Sequence, residues 1–355
     1  MRFILSAGTL CLALSGCSSV GYLAESGIGQ WKLFNRARPL NEIMASPNTS
    51  GATRHGIQMV GKAKAFAVNE LGLKATKNYE TFVQLDAPCV SWAVSASHPL
   101  LLEEKKWKFP IVGEIPYLGF FKKESAHKKA KELEEEETPK PDTWVRCVPA
   151  FSSLGWFPDP LYSSMITGKD HHIVDLVVHE SLHATVWVKG SVDFNEKLAN
   201  FVGLEGSIRY VEKERGVAGV AEVRAEVVEQ KVFADFMKET VDRYKATVKT
   251  MANKETFYKN LQASYLSFSQ ARQKKGEKFQ VSKGDKLNTW NNAALLAYSN
   301  YYSDYSVFER MLKKCGGSLG RFVAWIAGIQ KKDEDAFSAS PEEYLVKLEA
   351  ASVCP

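Results

Sequence analysis

The chain has 355 residues, of which 45% are hydrophobic, 25% charged and 11% aromatic, and 46 Lys and Arg face 41 Asp and Glu for a net charge of +5. A chain of this length and apolar content buries a large core, which excludes intrinsic disorder, collagen-like sequence and a disulfide-dense miniprotein. The basic residues are scattered among carboxylates with no aromatic-interleaved basic stripe, so no nucleic-acid partner is expected.

Met1-Arg2 is a short basic start, Phe3 to Leu14 is an apolar run with small residues, and Leu14-Ser15-Gly16-Cys17 follows at once. About a dozen apolar residues are too few to span a bilayer as a helix, but they suit the core of a secretory signal. The tetrapeptide resembles the bacterial lipobox, in which cleavage precedes a Cys that then carries lipid. The expectation is a signal over 1–16 and a single domain over 17–355, held at a lipid membrane through acylated Cys17. By the same likeness, Ser18 implies the periplasmic face of the outer membrane. Of the six Cys, Cys11 falls in the signal and Cys17 takes the lipid, leaving Cys89, Cys147, Cys315 and Cys354, no two at metal-ligand spacing. In an oxidising compartment one or two disulfides are expected. The sequence does not set their pairing, although Cys315 with Cys354 is favoured.

Apolar residues from Ile28 to Met44 recur at roughly helical intervals, Asn48 to Gly51 interrupts them, and Ile57 to Leu73 resumes the pattern with Ala-rich helix formers. Between Tyr79 and Phe121 short aromatic and β-branched runs are punctuated by Pro and Gly: Thr81 to Leu85, Val90 to Val94, Trp107 to Pro110 and Ile115 to Phe121. They predict a small sheet. Residues 122–141 are charge-dense and close on Thr138-Pro139-Lys140-Pro141, which reads as a charged surface insertion, either a solvated helix or a flexible segment. Thr143 to Ser152 predicts one more strand. From His171 onward the pattern is nearly all helix, with a long Glu/Lys/Ala-rich stretch from Val217 to Phe279 broken near Asn253. With no internal repeat and no linker, the chain reads as a single, mostly helical α+β domain.

One motif carries chemistry: His179-Glu180-Ser181-Leu182-His183, set in the apolar stretch from Ile173 to Trp187. On a helix the two His stand one turn apart on the same face, so both imidazoles reach one metal ion, expected to be zinc. Glu180 beside the first His is the candidate general base for a water at the metal's open position. A third ligand is required. The helix is expected to run to about Val188, with Gly190 as its stop and Asp193 as N-cap of the next helix. A short turn then brings Glu196 to the His pair; Glu205 is the reserve. Asn200, one turn on, is placed to hydrogen-bond an imidazole and fix its tautomer. His55, His98, His127, His171 and His172 are read as surface or packing residues. Asn291, Asn292, Tyr298, Tyr301 and Tyr302 are candidates for donors to substrate or to a developing oxyanion.

Several segments together resemble the bacterial predicted zinc aminopeptidase family of exported lipoproteins. They are Thr143 to Arg146, Leu154 to Pro160, His179 to His183, and Phe194-Asn195-Glu196 with Leu198-Ala199 and Phe201. Upstream, Gly29-Gln30, Arg36 to Leu40, Leu71 to Leu73 and Phe109 to Phe121 look like the same pattern, and downstream so do Asn291 to Ala293 with Tyr301. The resemblance implies a zincin-like, gluzincin-type peptidase acting on peptides. In it His179, His183 and Glu196 hold one zinc and Glu180 is the base. Tyr301, at a matching position, is expected, with Asn291 or Asn292, to donate a hydrogen bond to the oxyanion or the substrate backbone. The alternative is a non-catalytic envelope protein that binds partners and keeps a structural or vestigial zinc site. Glu180, which a purely structural site does not need, favours the enzyme.

Overall fold

The computed structural model describes residues 17–109, 113–150, 158–274, 290–300, 304–351 and 354. Residues 1–16, expected as a signal, Leu154 to Phe157, Tyr301 and Tyr302 lie outside the described residues. The chain begins with α1 (Cys17–Asn35), a short strand β1 (Arg38–Pro39), α2 (Leu40–Ala45) and α3 (Gly51–Asn69). Ser50 caps α3 by accepting from the Thr53 amide. Strands β2 (Thr81–Val83), β3 (Ser91–Ser97), β4 (Trp107–Phe109), β5 (Gly113–Ile115) and β6 (Leu118–Phe120) follow, then α4 (Lys123–Glu136), β7 (Asp142–Val148) and β8 (Leu161–Tyr162). The rest is helical: α5 (Asp170–Thr185), α6 (Val192–Thr247), α7 (Met251–Lys274), α8 (Asn292–Asn300), α9 (Ser306–Lys314), α10 (Leu319–Lys332), α11 (Glu334–Ala339) and α12 (Pro341–Ala351). Among the described residues no helix is long and apolar enough to cross a membrane.

The one small sheet expected from the sequence is three. β2 pairs antiparallel with β1 and parallel with β8, β3 lies antiparallel between β6 and β7, and β4 and β5 form a separate ribbon. Most of these strands are two or three residues long, and the partners of β2 come from opposite sides of it in the sequence, a pairing that periodicity does not encode. The residues 122–141 expected as a surface insertion contain α4, whose Ala126, Ala130 and Leu133 repeat at helical spacing and are buried against Val94, Ala96, Leu118 and Phe120. Its charged residues occupy the remaining faces, so the helix is one layer of the β6–β3–β7 unit. Cys89–Cys147 ties the start of β3 to β7, and Cys315–Cys354 ties the end of α9 to the C-terminal segment. The first of these pairings has no signal in the sequence.

The largest core joins α3, α5, the first part of α6, the β1–β2–β8 sheet and α9 to α12. α5 is buried along Ile173, Val174, Val177, Val178 and Leu182. The start of α6 is seated by aromatic contacts, Phe194 on Phe308 and Phe337 and Phe201 on Phe322, at ring separations of 5.6 to 5.7 Å. α6 bends at Gly216, whose φ of +65° is a conformation that glycine adopts without a Cβ clash. Beyond the bend, Met237 and Tyr244 pack with Phe257 and Leu261 of α7 and Leu295 of α8. The break between α6 and α7 falls at residues 248–250, slightly before the expected Asn253.

α5 and α6 approach closely because α6 carries glycine where they cross. A Cβ at Gly203 would lie 2.2 Å from Asp175 Oδ1, 2.9 Å from the Asp175 carbonyl oxygen and 3.3 Å from His179 Cβ. Gly203→Ala is therefore expected to push the two helices apart at a cost of about 1–3 kcal/mol. Thermal denaturation of the purified variant measures this, and an unchanged midpoint would show that the crossing is looser than described.

Candidate metal centre

The turn between α5 and α6 is built by Gly190 at φ +77° and by Asn195. The Asn195 side chain, buried in the first turn of α6, accepts from the Val188 amide at 2.8 Å and donates to the Val188 carbonyl at 2.8 Å. This two-point closure folds α6 back along α5 and sets Glu196, the next residue, opposite the last turns of α5. α5 ends at Thr185 and not Val188, and Ser191 holds the N-cap position of α6 without a side-chain capping bond, so Asp193 is a first-turn residue and not the N-cap.

His179 and His183 stand on one face of α5 with Nε2 atoms 3.1 Å apart. Glu196 Oε2 lies 3.5 Å from His179 Nε2, and Glu196 Oε1 lies 3.4 Å from His183 Nε2. Ligand atoms in a tetrahedral zinc site, each about 2.0–2.1 Å from the ion, are separated by about 3.3 Å. Two imidazole nitrogens at 3.1 Å repel through their lone pairs unless a proton or a cation stands between them. His183 Nδ1 is buried and has no hydrogen-bond partner among the described residues. The rings of His183 and Trp187 meet edge to face, with centroids 5.4 Å apart. These residues fit a zinc ion by donor type, spacing and charge.

The electrostatics agree. Burial opposes ionisation of Glu196, but the adjoining His179 and His183 outweigh it and hold that carboxyl well below the usual range. Burial would lower the His179 pKa, yet Glu196, Glu180 and Asp175 together raise it. The pocket is thus rich in negative charge and favours a cation. Glu180, largely withdrawn from water, has its pKa raised by burial; the neighbouring His179 and His183 pull it down, and Glu196 and Asp159 push it up. A carboxylate held in this way is a stronger proton acceptor than an exposed one.

The structure brings together four residues singled out in the sequence: His179, Glu180, His183 and Glu196. Glu205, the reserve ligand, is instead paired with Arg209 one turn along α6. Asn200 is exposed and does not reach the His183 Nδ1; Asp175, one turn before His179 on α5, is one of the carboxylates whose charge raises the His179 pKa. Burial raises the Asp175 pKa to about 6 against the lowering effect of His179. Asn291 and Asn292, expected to bind substrate, are committed elsewhere. Asn291 caps α8 through the Ala294 amide and donates to Thr143 O at 2.8 Å. Asn292 donates to His98 O and Leu101 O and accepts from the Tyr258 hydroxyl at 2.7 Å. They join α8 to α7, the β3–β7 pair and the loop after β3, because two amides at a helix start are well suited to satisfying loop carbonyls. Tyr298 stacks on Trp290 in the same region. Tyr301 lies outside the described residues.

Sequence reasoning gave no role to Tyr79, nor to Asp159, which it quoted only within the segment Leu154 to Pro160. Tyr79 is buried and has φ +64°, the one non-glycine residue among the described ones with a left-handed backbone, and its amide donates to the Asp159 carbonyl at 2.7 Å. Burial, then the charges of Glu180 and Asp159, raise its phenol pKa well above the ordinary value. Such a backbone in a bulky residue costs roughly 1–3 kcal/mol and is concentrated at functional sites. No local pattern in the sequence signals it. The sequence profile of a family described as "Putative aminopeptidase" matches residues 21–339. No curated protein and no solved structure matches the chain.

Proposed function

The chain belongs to the putative aminopeptidase family, and from that premise we propose that it is a single-zinc, zincin-like peptidase that cleaves peptides at the cell envelope. The observation that carries this reading is the convergence of His179, His183 and Glu196 around one point, with Glu180 beside them on the same helix and outside the trio. Those three residues would hold the zinc. When bound, the ion supplies Lewis acidity toward the scissile carbonyl and acidifies a water. Glu180 accepts the proton of the attacking water at its carboxylate and returns it to the leaving amine. Tyr301, at a position that matches the family's pattern, is the donor proposed for the developing oxyanion. Tyr301→Phe is expected to lower kcat by about 10²-fold with zinc content and melting temperature unchanged. Full activity in that variant would remove Tyr301 from the mechanism.

A terminal-sensitive peptide-library digest with the zinc-loaded protein, beside Glu180→Gln, tests the function. Release of N-terminal residues by the wild type alone supports an aminopeptidase, and internal cuts would make it an endopeptidase. No cleavage by either protein would favour the binding role.

Export and lipidation belong to the same proposal. The lipobox-like Leu14 to Cys17 supports acylation of Cys17 at the periplasmic face of the outer membrane, and two disulfides suit an oxidising compartment. Mass spectrometry of the mature protein is expected to find a lipidated Cys at its N-terminus, and Cys17→Ser to leave the membrane fraction or to accumulate uncleaved. Exported protein that retains Met1 would overturn this.

A further inference from the structure

A second group of side chains shares the features that mark the first. His171 and His172, read from the sequence as packing or surface residues, stand at the start of α5, with Nε2 atoms 3.0 and 3.2 Å from the same Glu226 Oε2 on the far part of α6. These separations again match those between ligands on one zinc ion, about 3.3 Å. His171 is 4% exposed and its Nδ1 has no hydrogen-bond partner among the described residues, as with His183. Lys169 takes the other Glu226 oxygen, Oε1, and also bonds Glu222 at 2.8 Å, which Arg215 holds from the far side at 2.7 Å. The carboxylate is therefore oriented by one oxygen and presents the second to both imidazoles, the arrangement that outer partners give to a ligating carboxylate.

We propose that His171, His172 and Glu226 bind a second divalent cation of the zinc class, which clamps the start of α5 to α6 beyond the Gly216 bend. Two imidazoles and one carboxylate select zinc-like ions over calcium or magnesium. His172 is half exposed, so water has access to complete the coordination. The two sites are not one dinuclear centre. His171 and His179 are eight residues apart on α5, about 12 Å along the axis, whereas paired catalytic ions lie about 3.5–4 Å apart. The second ion thus holds structure and takes no part in turnover. Lys169 and the positive end of α5 oppose a cation here, so this site binds more weakly than the first.

The test is a zinc titration of the metal-stripped full-length protein by equilibrium dialysis with elemental analysis. Wild type is expected to take up two equivalents, the second more weakly. His172→Ala and Glu226→Gln should each retain one, and His179→Ala/His183→Ala should retain the other. Hydrogen exchange adds a readout independent of occupancy: amides over 217–226 should gain protection with the second equivalent in wild type and not in His172→Ala, whose exposed side chain can be removed without opening the core. A single equivalent in wild type that is lost in His179→Ala/His183→Ala, or two equivalents unaffected by both His172→Ala and Glu226→Gln, overturns the proposal. Either result leaves the proposed function standing, since that depends on the first site alone.

Discussion

Glu180→Gln is expected to keep its zinc and its fold and to lose about 10²- to 10⁴-fold in kcat, the range typical of a general acid–base group. Gln matches Glu in size and stays polar, but its amide cannot take up a proton, and Glu180 lies outside the trio of converging ligand atoms. His183→Ala separates ligand from base. It removes one of the two nitrogens that stand 3.1 Å apart and should abolish zinc binding together with activity. Elemental analysis beside peptide-hydrolysis kinetics reads both effects. Equal loss of metal in the two variants would make Glu180 a ligand or a support and would remove the base from the mechanism.

Reduction of the disulfides should be the largest perturbation of stability. Cys315–Cys354 closes a segment of sequence separation 39 and Cys89–Cys147 one of 58. The loop-entropy relation gives about 4 kcal/mol for each, in the upper part of the range for native bridges. Cys315 and Cys354 are both buried in the core that carries α5 and the start of α6, so loss of their bridge loosens the wall behind Phe194 and Phe201. Cys315→Ser/Cys354→Ser is expected to lower the denaturation midpoint by several degrees and to weaken zinc binding. The corresponding Cys89/Cys147 variant should lower the midpoint and leave zinc affinity intact, because its bridge lies in the β6–β3–β7 unit. Denaturation with and without a reductant, followed by zinc titration, distinguishes the two. Equal effects on zinc would show that the two units are more tightly coupled than their separate cores indicate.

Legibility followed the range of the interaction. The one-turn spacing of His179 and His183 fixes a shared helix face, and the apolar residues around them identify a buried helix, because both properties are local to α5. The Ala126, Ala130 and Leu133 stripe was equally present in the sequence, but the surrounding charges concealed that it packs against a sheet.

By itself the sequence determined the mostly helical α+β composition, the paired imidazoles with an adjacent carboxylate, and a turn after them short enough to return a Glu. The closing of that turn by Asn195 on Val188 was a tertiary decision, as was the glycine crossing that lets α6 lie against Asp175 and His179. The same holds for the Tyr79 amide on the Asp159 carbonyl, for Cys89 with Cys147, and for Glu226 with His171 and His172, pairs separated by 54 to 58 residues in the last two cases. Periodicity encodes which face of an element is apolar. The identity of the residue that meets that face from another element is selected only when the core packs, since side-chain volume and backbone approach then decide which partners come within bonding distance.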